Sequence, residues 1–159
     1  MRDCIFKILS PEYDPALAEL IRKILKAHAL DIPGTVYFDE GLDHLSGYYS
    51  HGSREYFVLT KNNKLIGGIG YAEFGGFERC AELQKLYLDD SEKGNGIGYE
   101  MIRYIEDRAR EAGYLRMYLE THTNLQAAIH IYEKSGYKEI ERLSSVVHST
   151  MNRFYLKKL

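Results

Sequence analysis

The pattern with the plainest chemistry is Lys93-Gly94-Asn95-Gly96-Ile97-Gly98-Tyr99, which sets glycines at alternate positions. Glycine lets main-chain amides approach an anion, because no side chain stands between them. A helix opening directly behind the loop adds unpaired N–H groups and the positive end of its dipole. That is the chemistry of a pyrophosphate cradle, although a turn that merely reverses the chain would use the same glycines. Spacing excludes two common phosphate motifs. A P-loop needs Gly-Lys followed by Ser or Thr, whereas Gly98 precedes Tyr99 and Glu100. The dinucleotide fingerprint needs a third glycine where Met101 stands.

The elements that must position this loop are a strand before it and a helix after it. Phe77 to Leu88 reads as the longest strand, and alternation puts Glu82, Gln84 and Leu86 on one face with Leu83, Lys85 and Tyr87 on the other. Gly96 to about Ala112 reads as a helix with Ile97, Met101, Ile102, Ile105, Ala109 and Ala112 inward, stopped by Gly113. Upstream, Cys4–Leu9 is strand-like. Asp14–Leu30 carries a helical stripe with Asp14-Pro15 as cap and first turn. A weaker helix spans Glu40–Tyr49, and Glu55–Thr60 with Leu65–Phe74 form a hairpin. Gly67-Gly68 and Gly70 hint at a bulge or a close backbone approach. Downstream follow a strand at Leu115–Glu120, a helix at Asn124–Ser135 capped by Thr123 or Asn124, and strands at Tyr137–Arg142 and Asn152–Lys157. The strand at 115–120, one helix beyond the preceding strand, is expected to run parallel to it.

Composition bounds the possibilities. The chain has 159 residues, 45% apolar and 28% charged, with net charge −2, as expected of one ordinary globular domain. No global field attracts nucleic acid or anionic lipid, and no apolar run approaches the roughly 18 residues that span a bilayer. The N-terminus lacks the pattern of a signal peptide, and Cys4 and Cys80 have no metal-type spacing. A cytoplasmic protein with reduced thiols is the expectation. His122 and His130 form no ligand pair, so no metal is implied. The chain holds 14 Tyr and no Trp, a bias that would suit a wet, ring-lined cleft.

The spacing Lys93-x-x-Gly96-x-Gly98 resembles the Q/R-x-x-G-x-G/A signature of the GNAT superfamily of N-acetyltransferases. Lys93 departs from that signature, keeping the charge without Arg's planar fork. The element order β-α-α-β-β-β-α-β-α-β-β is also similar to that family's layout. The resemblance implies a single α/β domain whose mixed sheet has central strands splayed into a coenzyme cleft. It implies acetyl-coenzyme A as donor, its pyrophosphate on Lys93, Gly94, Asn95, Gly96, Ile97, Gly98 and Tyr99, and its pantetheine arm along Leu86, Tyr87 and Leu88. The segment Ala128-x-x-x-Tyr132-x-x-x-Gly136-Tyr137 is similar to the family's tyrosine segment. It implies that the Tyr132 hydroxyl protonates the leaving thiolate and that Asn124 and Ala128 border the coenzyme. The same tyrosine would also suit plain core packing, since Leu125, Ile129 and Tyr132 share an apolar face.

An acceptor amine is protonated near neutral pH, with a pKa of about 7.7–8.0 for an α-amino group, so a base is required. Glu82 stands where protein-lysine acetylating relatives place a catalytic glutamate; Glu73 and Glu120 are the runners-up. In the resembling family the region around Pro33–Asp39 overlies the acceptor site, making Tyr37 and Phe38, with Tyr71, Phe74 and the 144–150 loop, the expected acceptor contacts. The expected acceptor is a small-molecule amine. A non-catalytic coenzyme A sensor or partner module, and a peptide N-terminal acetyltransferase, are the competing readings. The Phe154-Tyr155-Leu156 strand is a candidate for pairing across a homodimer.

Overall fold

The structure, a computed structural model, describes residues 3–146 and 150–159. Among these residues, seven strands and four α-helices follow in the expected order. They are β1 (Cys4–Ile8), α1 (Asp14–Ala27), α2 (Leu45–Tyr48), β2 (Glu55–Lys61), β3 (Lys64–Phe74), β4 (Cys80–Leu88), α3 (Ile97–Glu111), β5 (Arg116–Thr121), α4 (Gln126–Lys134), β6 (Lys138–Ile140) and β7 (Arg153–Lys158). The strands form one mixed sheet in the order β1-β2-β3-β4-β5-β7-β6. Its only parallel pair among the described residues is β4 with β5.

Helices cover both faces. On one, Met101, Ile102, Ile105 and Ala109 of α3, with Ile129 and Tyr132 of α4, pack on Phe57, Leu59, Ile69, Leu83 and Met117. On the other, Leu17, Ile21 and Leu25 of α1, with Leu42, Leu45 and Tyr49, pack on Tyr56 and Val58. Alternation along β2 feeds the two cores in turn, Tyr56 and Val58 one way, Phe57 and Leu59 the other.

Several boundaries differ from the sequence reading for local reasons. Asp14 does not cap α1. It is the first helical residue, buried, and its carboxylate accepts from the Ser46 N–H (3.0 Å) and hydroxyl (2.5 Å), tying α2 to α1. The helix ends at Ala27 rather than Leu30. Ala29 turns left-handed (φ 57°), and the Leu30 N–H returns to the Leu25 carbonyl at 2.8 Å, a Schellman-type closure. The weaker helix is mostly a 3-10 turn, Glu40–His44, with only Leu45–Tyr48 α-helical, and Leu42, Leu45 and Tyr49 turn inward. Arg79, at φ 46°, delays β4 to Cys80. Asn124 and Thr123 do not cap α4: the Asn124 amide donates to the His28 carbonyl at 3.0 Å instead. The strand expected at 137–142 is shortened to β6.

The proposed dimer contact through Phe154–Leu156 is overturned. β7 is an interior strand, paired there with β5 on one edge and β6 on the other, so no free edge faces a second chain.

Candidate active site

The parallel pair β4–β5 is short. Cys80, Ala81 and Glu82 pair with Arg116, Met117 and Tyr118, and beyond those residues the two strands are unpaired. From Leu83 to Leu88, β4 therefore has β3 on one side and no strand on the other. On that side its main-chain groups have no strand partner, which suits an incoming extended ligand. The gap widens into a cleft of about 610 Å³ walled by β4, the loop before α3, the end of β5, α4, the end of α1 and the 34–39 segment.

At one end lies the glycine loop. Gly94 (φ 84°) and Gly96 (φ 76°) are left-handed, and the space a Cβ would fill at either is open. No side chain caps α3. Among the described residues the N–H groups of 94–99 have no protein acceptor; helical pairing resumes with Glu100 on the Gly96 carbonyl. Gly98 has another purpose, since a Cβ there would lie 2.7 Å from Ile131 Cδ1, so it brings α3 against α4. The Lys93 ammonium faces Asp90 at 2.6 Å. The loop amides fit a diphosphate: unpartnered donors, open space and a helix N-terminus converge there, with the Asp90-paired Lys93 beside them.

The middle of β4 carries a bulge. Gly68 pairs with Tyr87 and Gly70 with Gln84, so two steps on β3 match three on β4, and Lys85 takes φ 51°. The glycines opposite are required because a Cβ at Gly68 or Gly70 would lie 2.5 Å from the Tyr56 side chain, whose hydroxyl donates to the Lys85 carbonyl at 2.7 Å. The bulge shifts the parity of the strand. Leu86 joins Leu83 and Leu88 on the α3 side, instead of facing with Glu82 and Gln84, while Tyr87 packs on the α1 side.

Where the strands part, two carboxylates, Glu82 and Glu120, line the cleft. Glu82 accepts from Gln84 Nε2 at 2.7 Å, and Gln84 Oε1 accepts from the Tyr49 hydroxyl at 2.6 Å. Burial holds the Glu82 carboxyl above the usual range; the Gln84 bond opposes this and Glu120 reinforces it. Glu120 accepts from the Tyr118 hydroxyl at 2.8 Å. Tyr132 lies on the cleft wall, and among the described residues its hydroxyl has no hydrogen-bond partner. Burial pushes that phenol up, so it stays protonated at neutral pH.

The cleft thus brings together Glu82, Leu86, Tyr87, Leu88, Lys93, Gly94, Gly96, Ile97, Gly98, Tyr99, Ala128 and Tyr132. Asn95 and Asn124 stand beside it rather than on its wall. The expected acceptor contacts fare less well. Tyr71 is 1% exposed in the core against α3 and donates to Glu55, on the wrong face of the sheet. Phe74 stacks on Tyr118 at 3.9 Å, away from the wall. Phe38 is 58% exposed, and Tyr37 packs against the α1 core. The runner-up Glu73 is bound to Arg54 at 2.8 Å and is pushed down to about 2, which removes it as a base. Of the 144–150 loop, residues 147–149 lie outside those described. Not anticipated were Tyr49, Gln84, Lys85 and Asp39. Gln84 was within reach of alternation from Glu82; the Tyr49 contact joins positions too far apart in sequence for any local pattern.

A profile of the acetyltransferase (GNAT) family matches residues 18–137. The uncharacterized N-acetyltransferase YjgM of Escherichia coli K12 is 32% identical over 139 residues, spanning 86% of this chain and 83% of its own. Among solved structures, a GNAT-family acetyltransferase of Staphylococcus aureus Mu50 matches with TM-score 0.87 over 98% of both chains at 21% identity. The PaiA N-acetyltransferase of Thermoplasma acidophilum, solved with coenzyme A, matches with TM-score 0.76 at 20% identity, over 98% of this chain and 99% of its own. The two structures bear on the fold, whereas the family profile and the bacterial relative bear on descent. The chain belongs to the acetyltransferase (GNAT) family and is an N-acetyltransferase.

Proposed function

We propose that this protein transfers an acetyl group from acetyl-coenzyme A to the primary amine of a small molecule, by direct attack in a ternary complex. The observation that carries the reading is the parting of β4 from β5 beyond Glu82 and Tyr118, with unpartnered amides at 94–99 on one end of the gap. A diphosphate rests on those amides and an amide-bearing arm lies along Leu86–Leu88. Glu82 takes the proton of the acceptor ammonium, directly or through water. The amine nitrogen attacks the acetyl carbon and sheds its second proton to water, the carbon–sulfur bond breaks, and the Tyr132 hydroxyl gives its proton to the sulfur and regains one from that water. Raised pKa values suit both groups, because Glu82 becomes a stronger base and Tyr132 keeps its proton.

The test is thiol release from acetyl-coenzyme A with a panel of amines and peptides, alongside calorimetry with coenzyme A. Turnover with a small amine is the expected result. Tight binding with no turnover would make the protein a coenzyme sensor instead, and turnover confined to peptides would move the acceptor class.

A further inference from the structure

We propose that the acceptor carries a carboxylate beside its amine, and that Lys85 binds that carboxylate; the inference rests on the acetyl-transfer reading above. Lys85 occupies the bulge of β4 in a left-handed conformation that a lysine adopts only at a cost, and it lines the cleft. The bulge lets neighbouring residues reach the same wall. Gln84 bonds the Tyr49 hydroxyl, while Lys85 Nζ lies 6.0 Å from the Tyr49 ring and 5.9 Å from that of Tyr48.

Among the described residues the Lys85 ammonium has no carboxylate within 4 Å and no hydrogen-bond acceptor, although the chain is rich in ion pairs. Lys93, the other lysine of the wall, is neutralised by Asp90. Asp39 and Glu82 act on Lys85 only at longer range, and burial lowers its pKa. An ammonium drawn partly out of water without a partner costs free energy that an arriving anion recovers.

The neighbouring charges fix the rest of the acceptor. Glu82, Lys85 and Glu120 all line the cleft, and Glu82 feels both of the others, Glu120 opposing its charge and Lys85 stabilising it. An amino-carboxylate matches this pair of opposite charges on one cleft, its ammonium toward Glu82 and its carboxylate toward Lys85. A polyamine or an aminoglycoside-like polycation would set positive charge against Lys85, and like charges meeting in a partly desolvated site disfavour binding.

The experiment measures acetyl-coenzyme A-dependent turnover of α-, β- and γ-amino acids, each against the amine it becomes on losing its carboxylate, with spermidine as the polycation. In at least one pair the wild type is expected to favour the carboxylate-bearing member. In that pair Lys85→Met lowers the kcat/KM ratio between the two members by about 10- to 100-fold, mainly through KM, and Lys85→Arg recovers part of it. Melting temperatures of both variants check that they fold. A wild type that prefers spermidine or the decarboxylated partners overturns the inference alone, as does a Lys85→Met variant that slows both members of the pair equally. Absence of turnover with every amine, while coenzyme A still binds, removes the acetyl-transfer reading and this inference with it.

Discussion

Gln84 braces Glu82: its Nε2 donates to Glu82 Oε1 at 2.7 Å, and its own Oε1 is fixed by the Tyr49 hydroxyl at 2.6 Å. The second bond sets the orientation of the amide, so the donor always faces the carboxylate. That bond favours the charged form of Glu82 against burial, which favours the neutral one. If Glu82 is the base, the acidic limb of kcat/KM reports its ionisation. Gln84→Met removes the stabilising bond and moves that limb to higher pH, so activity at pH 6 falls more than at pH 8. A limb that stays in place would show that Glu82 does not take the proton.

Glu82→Gln separates catalysis from stability. Its turnover number is expected to fall by about 10²- to 10⁴-fold. Its melting temperature should rise. Because the folded pKa of Glu82 is raised, its favourable contribution is present below the unfolded pKa and lost as pH rises through the folded one. Near neutral pH the wild type therefore bears the cost of a buried charge, and the amide does not, while Gln84 still finds an oxygen to bond. Thermal melts from pH 4 to 8 should show the variant's advantage growing with pH; a constant difference would mean that charge burial is not its source.

Tyr132→Phe leaves the packing of α4 intact, since the ring lies in the core and the hydroxyl has no partner among the described residues. Stability should be unchanged, while kcat falls by about 10²-fold or more and KM for acetyl-coenzyme A stays within about twofold. Burial raises the phenol's pKa, so the proton remains in place through alkaline assay conditions. Any basic limb of the wild-type profile must then persist in the variant. Its loss there would assign the limb to Tyr132 and contradict the raised ionisation.

The order of elements was legible because each is announced locally: period-3.6 stripes on α1 and α3, glycine stops at Gly113 and Gly136, and paired asparagines with positive φ at Asn62-Asn63. The loop before α3 was legible for the same reason, its glycines marking it without help from tertiary structure. The acceptor wall was not. Its geometry depends on a parity shift at Lys85 that is enforced from β2, by the Tyr56 ring seated over Gly68 and Gly70. The glycines hinted at a bulge, but nothing local says which residue of the facing strand is extruded. Tyr71 and Phe74 were misassigned because ring-bearing residues near strand ends look alike whether they face solvent, cleft or core. The burial of Glu106 was not legible either, because its partner Lys157 reaches it from β7, far away in sequence.

Gly96 and Gly98 give opposite expectations although two residues apart. Alanine at 96 meets open space but sits at φ 76°, so the fold loses about 1–2 kcal/mol from strain while the new methyl intrudes where an anion must approach. Coenzyme A affinity should fall by about tenfold or more, on the order of one lost charge-assisted contact. Alanine at 98 has an ordinary helical backbone, and its methyl presses the flexible end of Ile131. That variant should lose stability and keep more of its affinity. Paired calorimetry and denaturation decide; equal binding losses would mean that helix packing, not amide access, governs the site.

Glu106 is 3% exposed at its side chain and receives both contacts of Lys157 Nζ, at 2.9 and 3.0 Å, with Arg110 farther away at 3.7 Å. The pair fastens α3 to β7 across the sheet. Removing only the cation strands a desolvated carboxylate, so Lys157→Met should cost about 3–5 kcal/mol in a denaturant melt. Replacing both, as Glu106→Leu with Lys157→Met, removes the burial penalty along with the attraction and should recover most of that loss. A double variant no more stable than Lys157→Met alone would mean that the pair's value lies in its attraction rather than in avoiding an unpaired charge. Because the pair touches neither the glycine loop nor Glu82, the double variant should retain its coenzyme affinity, and that makes it the control for the substitutions in the cleft.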